Sequence, residues 1–323
     1  MVGRRIAAAL MAAALGVALT ACGSSTDTGT TAAGLTEVTV GVTPISNAAA
    51  VYLGTQQGFF EDEKIEVDVK TIQAASSAIP SLLKNQLQFA LVSAVPTITA
   101  ASKGLDIKIV TGNDRFSDDP ETPDGAELVA AKGSGITETA DLAGKTIAVV
   151  GLQSAPELAV RLALKKAGVD PSGVKFVEIA YPDMVSALES ARVDAAVVVD
   201  PYLSQATQAG LKAVMEPFPE GLPGRAGTTW VASGNYLSDN ADVAARFTSA
   251  MKKSVAYAAA HPAAVRKIMG TYTSISAADR KSAILPLFNS SVTKSDLTFY
   301  AKAMQQQGFL TKEYDASGLL WTP

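Results

Sequence analysis

The sequence predicts an α/β protein built from two similar lobes. Apolar, strand-like runs alternate with helical segments throughout residues 144–202, which is the pattern of a parallel α/β unit with right-handed crossovers. The same layout occurs at residues 38–110, so the chain contains two copies of one unit. A chain of 323 residues suits two lobes of ordinary size. The predicted strands are 38–42, 67–72, 107–110, 145–151, 174–179 and 194–199.

The predicted helices have recognisable start and stop signals. Ser154 precedes the helix at 158–167 as a hydroxyl cap, Pro156 lies just inside its start, and Gly168 ends it. By contrast, 217–224 is rich in proline and glycine and is predicted to be a loop without functional chemistry. Other predicted helices lie at 183–190, 242–260, 263–272 and 294–307.

Two short apolar segments flanked by glycine, 127–131 and 228–233, are predicted to be the two crossings between the lobes. Lobe 1 then comprises 36–128 and 229–323, and lobe 2 comprises 129–228. The C-terminal helices are expected to pack on lobe 1. Two α/β lobes imply a cleft between them, and ligands of such sheets bind outside the carboxyl ends of the strands.

Several motifs together resemble one family of transport proteins. They are DLAGKTIAV at 141–149, DMVSALESARVDAAV at 183–197, DPY at 200–202, QGFFE at 57–61 and HP at 261–262. This set resembles the nitrate/sulfonate/taurine (thiamine-precursor-like) group of ABC-transporter substrate-binding proteins. The resemblance implies a two-lobed, periplasmic-binding-protein-like fold of type II with a hinge of two crossing segments. It also implies a monomer that delivers a small molecule to an ABC permease and its ATPase.

Residues 1–21 have the features of a lipoprotein signal peptide. Arg4 and Arg5 precede an apolar segment that is too short to span a bilayer. The sequence LTAC at 19–22 fits the bacterial lipobox, which predicts cleavage before Cys22 and lipidation of its thiol. The alternative is an ordinary secretory signal with a coincidental cysteine.

Residues 22–35 are rich in Ser, Thr and Gly and are predicted to form a flexible tether. Cys22 is the only cysteine in the chain, so no intramolecular disulfide is possible. These features predict an extracytoplasmic protein anchored by lipid to the bacterial cell membrane.

Polar residues at predicted helix starts are the first group of ligand-binding candidates. Asn47, the pair Ser93 and Ala94, and the pair Gln153 and Ser154 each lie where a loop delivers a helix N-terminus to the cleft. Free N–H groups and the helix dipole make such positions favourable for anions. The alternative is that these side chains only cap their own helices.

Two charged residues follow the predicted strand 107–110. Arg115 could pair with a sulfonate, carboxylate or phosphate, because its guanidinium matches planar oxyanions. The alternative partner is Asp118 or Asp119 in a surface salt bridge. Asp114 could meet an amine of the ligand, which would suit a taurine-like zwitterion.

The remaining candidates are Asp200, Tyr202 and Trp230. Asp200 could also contact an amine, but its position before Pro201 and a helix favours the role of an N-cap. Tyr202 and Trp230, together with Tyr52, could sandwich a flat heterocycle such as a thiamine-precursor pyrimidine. The alternative for Trp230 is a place in the hydrophobic core.

The chemistry of the sequence favours binding over catalysis. No catalytic constellation, metal-ligand spacing or phosphate-binding loop is recognisable, so no cofactor or metal is expected. The net charge of −4 argues against nucleic acid as a partner. Two alternatives remain: an enzyme on the same fold, such as a chorismate dehydratase or pyrimidine synthase, and a sensor without transport. Sulfonate- or taurine-like ligands come first among the possible ligands.

Overall fold

The structure is a computed structural model that describes residues 31, 34–73, 75–119 and 122–323. The predicted signal peptide at 1–21 and the lipidation site Cys22 lie outside the described residues, as does most of the tether at 22–35. In the described part of the chain, no helix is long and apolar enough to cross a membrane.

The strands form two five-stranded sheets, one in each lobe, and a short two-stranded ribbon between them. The strands are β1 (Thr36–Val42), β2 (Ile65–Thr71), β3 (Phe89–Ser93), β4 (Ile107–Gly112), β5 (Asp114–Arg115), β6 (Ala126–Ala130), β7 (Thr146–Val149), β8 (Lys175–Glu178), β9 (Ala195–Val199), β10 (Lys212–Met215), β11 (Thr228–Ser233) and β12 (Leu287–Phe288).

The lobe 1 sheet has the order β2-β1-β3-β11-β4, and the lobe 2 sheet has the order β10-β6-β9-β7-β8. In each sheet the strands of the α/β unit are parallel, whereas one crossing strand pairs antiparallel with its neighbours. That strand is β11 in lobe 1 and β6 in lobe 2. The short ribbon joins β5 to β12 antiparallel. The segment that leads from β5 to β6, of which the structure describes 116–119 and 122–125, is called the first crossing below, and the ribbon ties the C-terminal region to its start.

The helices cover the faces of both sheets. They are α1 (Ala49–Gln56), α2 (Phe59–Asp62), α3 (Ala75–Leu83), α4 (Ala94–Ser102), α5 (Ala155–Lys166), α6 (Tyr181–Glu189), α7 (Tyr202–Gln208), α8 (Pro217–Gly221), α9 (Gly234–Asp239), α10 (Ala241–Ala260), α11 (Pro262–Ile268), α12 (Ala277–Ser282) and α13 (Lys294–Gln306). Short 3-10 turns lie at Ser46–Ala48, Thr139–Leu142, Pro171–Gly173, Met269–Thr271 and Ala316–Leu319.

The C-terminal helices pack mainly on lobe 1. Helix α10 lies against α1 and α2, and α13 lies against α4. Two of these helices also reach lobe 2, because α12 contacts α7 and α13 contacts α5. The C-terminal helices therefore add contacts between the lobes.

Each sheet packs its apolar side chains into a core. In lobe 1, Phe89 stacks on Phe247 with ring centroids 3.8 Å apart, and Trp230 packs edge-on against the same phenyl ring. In lobe 2, the buried side chains of Leu128 and Ile147 belong to one hydrophobic cluster. Burial of such side chains is the dominant stabilising contribution.

Two predictions about this framework need correction. Strand β6 lies entirely in the lobe 2 sheet, so that sheet begins ahead of the expected boundary at 128/129. Residues 217–221 form helix α8 and not a loop, with Pro217 at the first helical position. Proline is favoured there because its missing N–H is not needed in the first helical turn.

Candidate functional site

A cavity of about 100 Å³ lies between the two lobes at the carboxyl ends of their central strands. This is well below the roughly 300–1,000 Å³ typical of pockets for drug-sized ligands, which suits a small solute. The lining residues are Thr43, Ile45, Asn47, Leu91, Val92, Ser93, Asp114, Arg115, Phe116, Asp124, Gly125, Ala126, Val150, Ser154, Ala155, Pro156, Tyr181, Val199, Phe218, Gly227, Thr228 and Pro286.

Asp114 forms the centre of a hydrogen-bond network on the lobe 1 side. Its carboxylate accepts bonds from Asn113 Nδ2 at 3.1 Å, from the backbone N–H of Thr228 at 3.3 Å, and from the Thr228 hydroxyl. The side chain of Asn47 also hydrogen-bonds to it. Burial raises the pKa of Asp114, and these hydrogen bonds oppose that rise in part. The network satisfies the carboxylate without a ligand.

Arg115 lines the cavity, but its guanidinium is already paired. Nη1 and Nη2 donate to the two carboxylate oxygens of Asp296, each at 3.1 Å, and Nη2 also donates to the carbonyl of Gly224. The expected alternative partners Asp118 and Asp119 are therefore replaced by a residue 181 positions further along the chain. Such a bidentate pair occupies the guanidinium edge that an anionic ligand would need.

The pairing with Arg115 also explains the lowered pKa of Asp296. Burial raises its pKa, but hydrogen bonds from Arg115 and from Thr293 outweigh burial and lower the pKa below the usual value. Thr293 and Asp296 form a capping box at the start of α13. The Arg115 pair therefore fixes a C-terminal helix to the first crossing.

Asp124 is a cavity residue that was not among the sequence candidates. It lies at the end of the first crossing, two residues before β6, and its Oδ1 accepts from the backbone N–H of Ser117 at 2.7 Å. Its Oδ2 is buried and has no hydrogen-bond partner among the described residues. Burial raises the pKa of Asp124 to about 7, and the nearby negative charges of Asp114 and Glu216 add to the effect. The sequence signal that could have indicated Asp124 was an acidic residue shortly before the predicted crossing at 127–131.

Ser154 lines the cavity from lobe 2 at the start of α5, as its sequence position predicted. Its side chain is only 8% exposed, and its hydroxyl has no partner among the described residues. Gln153 behaves differently, because its side chain is exposed and does not line the cavity. Its backbone N–H donates to the carboxylate of Glu157 at 2.7 Å, so Glu157 provides the cap of this turn.

The two helix starts in lobe 1 contribute fewer side chains to the cavity than the sequence predicted. Asn47 and Ser93 line the cavity, whereas Ala94 is fully buried and does not. The hydroxyl of Ser93 makes no capping bond to α4.

Two stacked aromatic rings close one side of the cavity. Phe116 from the first crossing and Phe218 from α8 lie with centroids 4.0 Å apart and planes within 7°. Phe218 lies in the segment for which the sequence predicted no function. Tyr181 at the start of α6 also lines the cavity. An aromatic wall of this kind can pack against the flat face of a ring.

Asp200 and Tyr202 lie behind the cavity and do not line it. Tyr202 is 3% exposed and stacks on Tyr181, with centroids 6.5 Å apart, so it supports a lining residue. Burial raises the pKa of Tyr202 to about 12. Asp200 is 1% exposed, and its Oδ1 accepts from the N–H and hydroxyl of Ser204 in the first turn of α7.

Asp200 also connects the two lobes. Its carbonyl accepts from the N–H of Ser46 in lobe 1 at 3.0 Å, and its Oδ2 accepts from the N–H of Ile284 at 2.6 Å. Its own N–H donates to the carbonyl of Gly125 at 2.8 Å. Burial raises the pKa of Asp200 to about 6, and the hydrogen bonds oppose this rise. The residue therefore helps to hold the lobes together.

Trp230 does not line the cavity. Its side chain is fully buried in the lobe 1 core because β11 lies between β3 and β4 inside the sheet. Its Nε1 donates to Asn113 Oδ1 at 3.3 Å, and Asn113 in turn donates to Asp114. Trp230 thus supports the cavity through one intermediate side chain. Among the described residues, no group of three or more His, Cys, Asp or Glu is placed to hold a metal ion.

The fold and the cavity can now be compared with known proteins. A family model described as NMT1/THI5-like matches residues 45–265, which is more than half of the chain. The chain belongs to the NMT1/THI5-like family. The family match agrees with the motifs that resemble ABC substrate-binding proteins.

Individual relatives of this NMT1/THI5-like protein are distant. "Putative binding protein YtlA" of Bacillus subtilis (strain 168) is 26% identical over 217 residues, which are 67% of this chain and 64% of that protein. The aligned part of the chain therefore spans less than two thirds of the length of this relative.

Solved structures confirm the predicted two-lobed fold. The alkanesulfonate-binding protein SsuA of Xanthomonas axonopodis pv. citri, bound to MOPS, superposes with a TM-score of 0.75 at 16% identity, covering 88% of this chain and 98% of SsuA. The nitrate-binding protein NrtA of Synechocystis PCC 6803 gives a TM-score of 0.75 at 13% identity, covering 88% of this chain and 84% of NrtA. The aliphatic sulphonate-binding protein SsuA of Escherichia coli gives a TM-score of 0.70 at 17% identity, and the match covers 88% of this chain and 97% of that SsuA.

The pairing of Arg115 predicts a structural effect of its removal. Arg115→Ala leaves the 1%-exposed Asp296 carboxylate without its main partner, so we expect a loss of about 2 kcal/mol in the free energy of unfolding. Lys70→Ala removes an exposed pair with Asp68 and should change stability by less than about 0.5 kcal/mol. Urea unfolding of both variants measures the difference. Unchanged stability in Arg115→Ala would show that the pair with Asp296 is dispensable.

Proposed function

We propose that this NMT1/THI5-like protein is an extracytoplasmic solute-binding protein that captures a small molecule between its lobes and delivers it to an ABC permease with its ATPase. The observation that carries the proposal is the cavity between the lobes, which contains buried polar atoms that have no hydrogen-bond partner among the described residues. Unpaired buried polar groups are costly, so their presence in a cavity favours a ligand that completes them. The protein acts as a binding protein and not as an enzyme.

The capture mechanism follows from the connections between the lobes. Among the described residues, the chain crosses between the lobes through the segments 116–119 and 122–125 and through 222–227, and the rest of the lobe contact consists of side-chain packing and a few hydrogen bonds. Hinge bending at two such crossings would open the cavity to solvent and close it around a ligand. Ser46 and Asp200 would separate on opening, because their hydrogen bond joins loops of opposite lobes.

Three ligand classes compete for the cavity: small anions, taurine-like zwitterions and flat heterocycles. A simple anion is the least suited, because Arg115 is paired with Asp296 and the cavity also contains Asp114 and Asp124. The helix start at Ser154 still favours some negative charge on the ligand. The stacked rings of Phe116 and Phe218 favour a flat ring. We therefore place zwitterions and flat heterocycles ahead of simple anions.

A thermal-shift panel tests the proposed function. The panel contains nitrate, ethanesulfonate, taurine, 4-aminopyrimidine and 4-methylpyrimidine, each titrated to high millimolar concentration. A compound that binds only the folded protein raises the free energy of unfolding by about 2.7 kcal/mol at a hundredfold excess over its dissociation constant. At least one compound should raise the melting temperature in a saturable way. A flat response to the whole panel would contradict the proposal.

The lipid anchor at Cys22 is part of the same proposal. It is supported by the lipobox LTAC at 19–22 and by the absence of any other cysteine in the sequence. Cys22→Ser should abolish lipidation and remove the protein from the detergent phase in phase partitioning, while binding of ligand stays unchanged. Retention of the Cys22→Ser protein in the detergent phase would exclude Cys22 as the anchor.

A further inference from the structure

Two buried polar atoms at the cavity have no hydrogen-bond partner in the part of the chain that the structure describes, and they come from different parts of the fold. One is Asp124 Oδ2 on the first crossing, and the other is Ser154 Oγ at the start of α5 in lobe 2. Among the lining side chains of the described chain, these are the polar groups whose buried atoms remain without a partner. Asp114, by contrast, is saturated by Asn47, Asn113 and Thr228.

The free hydroxyl of Ser154 has a local cause. A serine at an N-cap normally accepts from the N–H of the second or third helical residue. In α5 the second helical residue is Pro156, which has no N–H, and the Ser154 hydroxyl makes no capping bond to the third helical residue either. The turn before the helix is held by the Glu157 carboxylate, which accepts from the N–H of Gln153. The Ser154 hydroxyl is thus released from capping while its side chain stays more than nine-tenths buried at the cavity.

The geometry of Asp124 likewise leaves one acceptor for a ligand. The bond from the N–H of Ser117 to Oδ1 holds the carboxyl group in place, and Oδ2 remains without a donor. No described basic side chain pairs with Asp124. The raised pKa of this carboxyl, near 7, agrees with a site that lacks a compensating donor.

We infer that Asp124 and Ser154 are specificity-determining residues that select ligands with an N–H or O–H donor facing Asp124. The inference rests on the proposed binding function and adds the chemistry that the ligand must present. Asp124 Oδ2 accepts a hydrogen bond from the ligand, and Ser154 Oγ, which can donate or accept, binds a second polar atom. Anions without a donor, such as nitrate, meet a carboxylate and are rejected.

Matched compounds test this selection on the full-length protein. 4-Aminopyrimidine differs from 4-methylpyrimidine, and taurine from ethanesulfonate, mainly by the presence of an N–H donor group. A hydrogen bond to a charged acceptor corresponds to roughly ten- to a hundredfold in affinity. In at least one pair, the compound with the donor should bind the wild-type protein at least tenfold more tightly at pH 8, measured by titration calorimetry.

Three variants connect this preference to the residues. Asp124→Asn can keep the bond from Ser117 through its amide oxygen, which places an NH₂ group where Oδ2 was, so the donor preference should disappear. Ser154→Ala should weaken binding of the preferred compound about tenfold without loss of the fold. Asp118→Asn removes an exposed carboxylate from the same segment and should leave the preference unchanged.

The outcomes separate the inference from the proposed function. A donor preference that survives in Asp124→Asn overturns the inference, and so does equal binding of both members of each pair. Binding of nitrate or ethanesulfonate alone also overturns the inference but leaves the proposed function standing. If no compound of the panel binds the wild-type protein, both fail.

Discussion

Gly221→Ala is expected to destabilise the protein by about 3 kcal/mol, because Gly221 at the end of α8 packs directly on the backbone of α5. A methyl group there would overlap the carbonyl oxygen of Ala159 and lie 2.9 Å from its Cα. Backbone atoms inside a helix cannot move aside as a flexible side chain can. Helix α8 must therefore shift outward, which would also displace Phe218 from the cavity. Chemical unfolding and ligand affinity should both show the damage.

Gly318→Ala is the matched control for this prediction. Gly318 lies in the 3-10 turn Ala316–Leu319, also without a positive φ, and a methyl group there would meet no atom within 4 Å. Its free energy of unfolding should stay within about 0.5 kcal/mol of the wild-type value. Equal stability of Gly221→Ala and Gly318→Ala would show that the close approach of α8 to α5 is not required.

Asp200→Ala is expected to weaken ligand binding by about a hundredfold and to reduce stability by about 3 kcal/mol. The substitution leaves the buried N–H of Ser204 and the partly buried N–H of Ile284 without their acceptors. Each buried group left unpaired costs about 1–3 kcal/mol. Opening of the lobes would expose the N–H of Ile284 to water, so the variant should favour the open state. Calorimetric titration and urea unfolding measure the two effects.

Asp170→Ala is the control variant for Asp200→Ala. The carboxylate of Asp170 also accepts from the N–H and hydroxyl of a serine, Ser172, but it is exposed and makes no hydrogen bond to the described residues of lobe 1. The Asp170→Ala variant should lose only the small contribution of an exposed cap to stability and retain wild-type affinity. Comparable losses of affinity in both variants would rule out a special role for the contact between the lobes.

Asp200 also gives the free energy of unfolding a pH dependence with a defined sign. Burial raises the folded-state pKa of Asp200 from 3.8 to about 6, so its contribution to stability is fully present below about pH 4 and is lost as pH rises through about 6. Asp200→Ala lacks this titration. The stability advantage of the wild type over the variant should therefore be larger at pH 4.5 than at pH 7.5, as measured by unfolding at both values.

The regular framework could be predicted from sequence because its signals are local. Alternating strand and helix patterns, Ser154 before α5 and the glycine that follows that helix each act within a few residues of the element they define. Helix α8 was missed because two prolines in five residues resemble a loop, although Pro217 fits the first helical turn. The antiparallel placement of β6 and β11 depends on long-range pairing that local patterns do not encode.

The candidate site was only partly predictable for a similar reason. Asn47, Ser93 and Ser154, which were chosen because they precede predicted helices, line the cavity, and their contact with a ligand stays a prediction. The partner of Arg115 lies 181 residues away in α13, so no local pattern could indicate it. Trp230 could line the cavity or fill the core, and only the strand order decided between them.

Small-angle X-ray scattering tests the central claim, that the lobes close around a small molecule, most directly. The wild-type protein is measured alone and then saturated with the panel compound that raises its melting temperature most. We expect the free protein to scatter as a more open particle and the bound protein to have a smaller radius of gyration that matches the closed arrangement in which Ser46 bonds to Asp200. A saturating compound that leaves the radius of gyration unchanged would contradict capture by lobe closure.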